Sequence, residues 1–148
     1  MPSSQPSNRL ASFVLIQEVM QNAAKRILIV DSDDAFRASL REFLHGLSYE
    51  VFEAISGPEA IDKASVIRPD LIITDVRLPG MNADEVTARL KRMRTTCKIP
   101  IILNTGWTTT CNIEERINRA LNAGAEEILY RPFQFPILRN VLRAYLLA

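Results

Sequence analysis

The stretch PDLIITDVRLPGM, residues 69–81, decides how the rest of the sequence is interpreted. Its first half is a short apolar run without polar alternation, which predicts a strand covered on both faces. The run ends on a carboxylate, Asp75, and the chain then turns at Pro79 and Gly80. Open α/β sheets place their ligand chemistry at the carboxyl ends of such strands. A single aspartate there is also typical of a helix cap or a turn, so its role depends on its neighbours.

Similar apolar runs lie on both sides of this stretch and alternate with segments of helical spacing. The further runs cover residues 26–30, 50–54, 101–104 and 127–130. After each of the five strands, apolar residues recur at three- and four-residue intervals, which predicts five helices. Alternating strands and helices joined by short loops predict a doubly wound parallel α/β sheet of five strands, with helices on both faces.

The composition is that of an ordinary globular protein. The chain has 148 residues, 47% hydrophobic and 24% charged, with a net charge of +1. This charge gives no reason to expect nucleic acid or an anionic membrane as a partner. No apolar run approaches the roughly 20 residues needed to span a bilayer, and no signal-peptide pattern is present. Cys97 and Cys111 fit no metal-binding or CxxC spacing, so we expect a cytoplasmic protein with reduced thiols.

Residues 1–24 differ from the remainder and form an N-terminal extension. Residues 1–8 are rich in Ser, Pro, Gln and Asn, which predicts disorder. Residues 10–24 carry a loose apolar set, for which we expect a short helix or none. The globular domain is predicted over residues 25–148.

The strand ends bring chemically matched residues to one edge of the predicted sheet. The first, third, fourth and fifth strands deliver Asp31, Asp75, Thr105 and Arg131. Neighbouring carboxylates need a cation, and oxygen ligands of this kind suit Mg²⁺. A carboxylate can attack phosphorus to form an acyl phosphate, whose oxygens a hydroxyl and a guanidinium can bind. The constellation predicts phosphoryl chemistry at this edge.

Residues 25–148 resemble a receiver domain of the response-regulator family, similar in size and layout to the single-domain chemotaxis regulator. The resemblance implies the flavodoxin-like strand order 2-1-3-4-5. The motifs that carry it are ILIVD at 27–31, PDLIITD at 69–75, LPG at 78–80, IPII at 99–102 leading to Thr105, and AGA at 123–125 leading to RPF at 131–133.

The resemblance also implies roles for individual residues. Asp75 would accept a phosphoryl group from a phosphohistidine on a histidine kinase or a phosphotransfer protein. Asp31, Asp75 and the backbone carbonyl of Arg77 would hold Mg²⁺. Thr105 would move toward the phosphoryl oxygens, and Arg131 would contact them.

Three positions depart from the family pattern. The family has two adjacent acids after the first strand, whereas here Asp31 is followed by Ser32. Ser32 or Asp33 would be a further Mg²⁺ ligand, although Asp33 also reads as a first-turn acid of the following helix. With one carboxylate fewer, we expect weak Mg²⁺ binding. Arg131 replaces the family lysine with a planar, bidentate cation, and Ile128 stands where the family has a switch aromatic.

Two bulky residues and one proline complete the resemblance. Arg77 and Trp107 stand two residues past the acceptor and the threonine, where family members tune the attack of water. Their size predicts slow autodephosphorylation, although Trp107 could instead pack on the neighbouring helix or suit a partner surface. A cis peptide bond before Pro132 is also implied.

The sequence is compatible with three hypotheses about function. The leading hypothesis is a stand-alone receiver of a two-component system or phosphorelay, with no separate substrate turnover. It would act on an unknown output protein through the helix after the fourth strand, the fifth strand and the last helix, or pass the phosphoryl group on. The alternative is a degenerate receiver that binds partners without phosphorylation. A remote alternative takes Asp31-Ser32-Asp33 as the DxD motif of a haloacid dehalogenase-like phosphatase, for which the chain is short and lacks a later acidic pair.

Overall fold

Five parallel strands form one sheet at the centre of the fold. The computed structural model describes residues 6–22, 25–106, 112–132 and 134–147. The strands are β1 (Arg26–Val30), β2 (Glu50–Ala54), β3 (Leu71–Asp75), β4 (Ile101–Thr105) and β5 (Glu127–Tyr130). Their order is β2-β1-β3-β4-β5, and every pairing is parallel. The predicted doubly wound sheet and its strand order are confirmed.

Six helices lie in the described part of the chain. They are α1 (Pro6–Asn22), α2 (Asp34–Gly46), α3 (Gly57–Ile67), α4 (Ala83–Arg92), α5 (Ile113–Ala123) and α6 (Phe135–Leu146). The last five alternate with the strands, and α1 precedes them. Of the helices described, none is long and apolar enough to cross a membrane.

Each face of the sheet carries its own apolar layer. On one face Ile29, Ile73 and Ile102 lie side by side in register and are completely buried. They pack with leucines of α2 and α6, namely Leu40, Leu44, Leu138, Leu142 and Leu146. The opposite face packs against α3, α4 and α5. Because helices cover both faces of the sheet, the strands are continuous apolar runs in the sequence.

Polar side chains set the starts of the helices next to the carboxyl edge of the sheet. Asp33 precedes α2, and its carboxylate accepts hydrogen bonds from the amides of Ala35 at 3.0 Å and Phe36 at 3.1 Å. Ser56 does the same for α3, accepting from the amide of Glu59 at 3.3 Å. These side chains satisfy amides that have no partner inside a helix.

Gly57 brings the start of α3 against the loop that follows β3. The residue is buried, and its amide donates to the carbonyl of Pro79 at 3.3 Å. A Cβ at this position would collide with the backbone oxygen and the Cβ of Met81. Only glycine leaves room for this approach of the two segments.

Helix α1 contributes no described side chain to either apolar layer. Several of its apolar residues are exposed, with Leu10 at 65% and Met20 at 72%. In the structure α1 begins at Pro6, inside the segment for which the sequence predicts disorder, and residues 1–5 lie outside the described part of the chain. The apolar residues of α1 form no single stripe along the helix, so their spacing in the sequence does not show where the helix begins.

Candidate functional site

Three polar side chains form the last row of the sheet face that α2 and α6 cover. Alternate residues of a strand share a face, so the row beyond Ile29, Ile73 and Ile102 begins two residues later. In β3 and β4 this position is held by Asp75 and Asn104, which are paired in register. Asp31 holds it after β1, where its amide continues the ladder by donating to the carbonyl of Ala54 at 3.0 Å. We call Asp31, Asp75 and Asn104 the polar row.

The two carboxylates of the polar row are buried and only partly satisfied. Asp31 is completely buried, and its Oδ1 accepts from the amide of Asp33 at 2.8 Å. Its Oδ2 has no hydrogen-bond partner among the described residues. The side chain of Asp75 is 15% exposed, and its Oδ1 accepts from the amide of Arg77 at 3.4 Å.

The guanidinium of Arg131 lies between these carboxylates. Its Nη1 is 3.6 Å from Oδ2 of Asp31, and its Nη2 is 3.4 Å from Oδ2 of Asp75. Its central carbon stands 4.3 Å from the centre of the Phe36 ring, within the range of a cation–π contact. The Arg131 guanidinium thus pairs with both Asp31 and Asp75 at the predicted edge of the sheet.

Crowding raises the pKa of both carboxyl groups. The pKa of Asp75 is raised to about 6, by burial first and by the charge of Asp31 second, against the opposing effects of Arg131 and of the amides of Arg77 and Val76. Burial likewise raises the pKa of Asp31, against the hydrogen bond from Asp33 and the charge of Arg131. Both groups therefore gain more from a proton or a cation than an exposed carboxylate would.

The donor set fits a weakly held Mg²⁺ ion. Proteins commonly bind Mg²⁺ through one or two carboxylates plus water and substrate phosphate. The buried Oδ2 of Asp31 accepts no hydrogen bond from the described residues and lies 3.6 Å from Arg131, so it is an oxygen that a metal cation could satisfy. Ser32 is exposed, and the Asp33 carboxylate is engaged with the first turn of α2. No group of three or more His, Cys, Asp or Glu side chains suited to a metal occurs among the described residues.

Thr105 ends β4 beside Arg131. It is buried, its hydroxyl donates to the carbonyl of Gly106 at 3.3 Å, and its own carbonyl accepts from the amide of Arg131 at 2.7 Å. The peptide bond between Arg131 and Pro132 is cis, as the resemblance implies. Trp107 lies outside the described residues, so its predicted shielding of the site stays a prediction.

Two residues at the site were not anticipated from the sequence. Phe36 was assigned to the apolar face of α2, where it does pack, but its ring also lies against Arg131. Asn104 ends the run that predicts the fourth strand, and in the structure it belongs to the polar row. Its only sequence signal is an amide inside the otherwise apolar run IILN, residues 101–104.

Comparison with known proteins gives a consistent result. Residues 27–143 match the family model of the response regulator receiver domain. Response regulator MprA of Mycobacterium avium is 37% identical over 121 residues, which cover 82% of this chain and 50% of that protein. The chain spans about half the length of the curated relatives it matches.

Solved structures agree in fold. Chemotaxis response regulator CheY4 of Vibrio cholerae is similar with a TM-score of 0.72 and 29% identity, covering 82% of this chain and 98% of that one. The receiver domain of sensor histidine kinase PA1611 from Pseudomonas aeruginosa has a TM-score of 0.75 and 25% identity, covering 85% of this chain and 100% of that one. The PA1611 structure has a magnesium ion coordinated in its active-site cleft.

Proposed function

Because the chain belongs to the response regulator receiver domain family, the signalling modules of two-component systems, we propose that it receives a phosphoryl group on Asp75. The observation that carries the proposal is the Arg131 guanidinium, 3.4 Å from Asp75 and 3.6 Å from Asp31. This cation is in place to pair with the oxygens of an incoming phosphoryl group.

The proposed donor is a phosphohistidine of a histidine kinase or a phosphotransfer protein. An oxygen of the Asp75 carboxylate attacks phosphorus, the P–N bond breaks, and its electron pair stays on the imidazole. The product is an acyl phosphate. We propose that Arg131 holds its phosphoryl oxygens and that the hydroxyl of Thr105 turns from the Gly106 carbonyl toward them.

Receiver domains typically bind Mg²⁺, and the residues of this site fit it. Asp31, Asp75 and the backbone carbonyl of Arg77 would hold the ion, with the hydroxyl of Ser32 as a weak addition. When bound, Mg²⁺ supplies positive charge that offsets the charge of the carboxylates and the phosphoryl group. Affinity for Mg²⁺ decreases when the site has fewer charged ligands, so binding should be weaker than at a site with an adjacent acid pair.

We further propose that the output is a protein contact. The face formed by α5, β5 and α6 exposes Tyr130 and Ile137, which are half exposed and suited to a partner surface.

A second function is favoured by the same guanidinium. Arg131 already pairs with both carboxylates and offsets part of their negative charge, so the site can stay folded without phosphorylation. A receiver of this kind would bind its partner constitutively. The two functions differ in whether Asp75 becomes covalently modified.

The test is labelling of the chain with radioactive phosphoramidate in the presence of MgCl₂. We expect the wild type and Asp62→Asn, an exposed control on α3, to take up label that is lost on treatment with hydroxylamine. Asp75→Asn should take up none. If the wild type remains unlabelled while circular dichroism shows it folded, the phosphorylation proposal is wrong and the constitutive binding function is favoured.

A further inference from the structure

We propose that Asn104 is a positioning residue of the phosphoacceptor site, whose amide holds the carboxyl group of Asp75 when that group is phosphorylated. The inference rests on the proposed function, because it concerns the acyl phosphate of Asp75. Asn104 has no role among the site residues that the sequence predicts.

The burial of Asn104 is the first observation. Its side chain is completely buried, and neither Oδ1 nor Nδ2 has a hydrogen-bond partner in the part of the chain that the structure describes. A buried amide without partners costs free energy, whereas leucine of similar size would cost none. Such a group is rare in folded proteins, and a catalytic role is one explanation for it.

The residues around Asn104 indicate which group can form a hydrogen bond with its side-chain amide. Asn104 is paired in register with Asp75 on one side and with Leu129 on the other, and Ile102 precedes it on the same face. Asp75 is therefore the polar member of this set. Neighbouring strands lie about 4.8 Å apart, so two side chains paired on one face are within hydrogen-bond reach.

Both carboxylate oxygens of Asp75 have other neighbours in this state. Oδ1 of Asp75 accepts from the amide of Arg77, and Oδ2 faces the guanidinium of Arg131. Phosphorylation makes one of these oxygens the bridging oxygen of the acyl phosphate and offers Arg131 the phosphoryl oxygens instead. The carboxyl group of Asp75 then loses a charged neighbour, and Nδ2 of Asn104 can donate to it.

The proposed contact between Asn104 and the Asp75 carboxyl group should speed hydrolysis of the acyl phosphate. During hydrolysis the oxygen of water attacks phosphorus, the bond between phosphorus and the Asp75 oxygen breaks, and its electron pair stays on the carboxylate. The protons of water leave with inorganic phosphate. A donor on the carboxyl group binds the developing carboxylate more strongly than the neutral acyl group, so Asn104 speeds release of the phosphoryl group.

The test is the lifetime of the label after removal of phosphoramidate, at constant pH and MgCl₂. Asn104→Leu keeps the volume and removes the donor, and we expect a half-life about tenfold longer, the effect of one hydrogen bond to a charged group. Ile102→Val, on the same strand and face, is the matched control and should keep the wild-type half-life.

A pair of smaller variants guards against a failure of Asn104→Leu to fold. Asn104→Ser and Asn104→Ala differ only in a hydroxyl donor, and the alanine variant should hold its label longer than the serine variant. Replacing the buried amide by leucine should raise the melting temperature through packing alone. The melting temperature therefore does not test the inference, and the lifetime of the label does.

The outcomes separate the inference from the proposed function. A labelled wild type whose half-life equals or exceeds that of Asn104→Leu overturns the role of Asn104 and leaves Asp75 as the acceptor. If Asn104→Leu does not fold, equal half-lives of the serine and alanine variants have the same meaning. A wild type that takes up no label overturns both.

Discussion

Two adjacent rows on one face of the sheet have the same backbone and opposite character. Ile29, Ile73 and Ile102 are completely buried in the layer formed with α2 and α6. One step further toward the carboxyl edge, the polar row contains two acids and an amide with unpartnered atoms. Burial of the apolar row stabilises the folded chain, whereas burial of polar groups without partners in the polar row destabilises it. Substitutions in the two rows should therefore change stability in opposite directions.

The largest effect is expected in the apolar row. Ile73→Ala should lower the free energy of unfolding by about 2–5 kcal/mol, because it removes buried methyl groups and leaves a cavity. Urea unfolding at pH 7.5 measures the change. Val66→Ala, at an exposed position on α3, should stay within about 0.5 kcal/mol of the wild type. A loss below that of the control would show that the apolar row does not carry the stability assigned to it.

The next effect has the opposite sign and depends on pH. The pKa of Asp75 is raised to about 6 in the folded chain, from an unfolded value near 3.8. The resulting stabilisation is complete below pH 3.8 and is lost as the pH rises through 6. Asp75→Asn cannot ionise, so at pH 7.5 in EDTA it should be up to about 3 kcal/mol more stable than the wild type.

The measurement is urea unfolding of both chains between pH 4 and 8. The difference between them should vanish toward pH 4. A difference that is independent of pH would contradict the raised pKa of Asp75.

The smallest effect tests whether the two rows are coupled. Phe36 packs with the apolar layer, and its ring also lies against Arg131, which pairs with the polar row. A double-mutant cycle of Phe36→Leu and Arg131→Met should give a coupling of about 0.5–1 kcal/mol. The same cycle with Phe43→Leu, whose ring stacks on Phe135, is the control and should give none. Equal couplings would mean that the guanidinium does not use the ring.

Much of this arrangement could be predicted from the sequence because it is local. The apolar runs and the helical spacing predict the strand order once the resemblance is noted, and the strand ends predict where Asp31, Asp75, Thr105 and Arg131 lie. These residues do converge on one edge. Their positions follow from where each strand stops, which the sequence shows directly.

The rest depends on contacts between distant segments. Nothing near Phe36 in the sequence shows that Arg131 will lie against its ring, and nothing near Asn104 shows that its amide will lack a partner. The use of Asp33 as a cap depends on the loop that places its carboxylate at the start of α2. Pairing across strands and hydrogen-bond satisfaction are properties of the tertiary structure, and a periodic pattern does not encode them.

Gly57 has a consequence for the tolerance of this protein to substitution. It carries no chemistry, yet any side chain there would push against the Met81 backbone, in the loop that follows β3. In a scan of all single substitutions scored by signalling, position 57 should therefore rank with Asp75, the proposed acceptor, although it lies in a helix and Asp75 ends a strand. A ranking of that kind measures the room between two segments, and sensitivity to substitution at this position is no evidence of contact with a ligand.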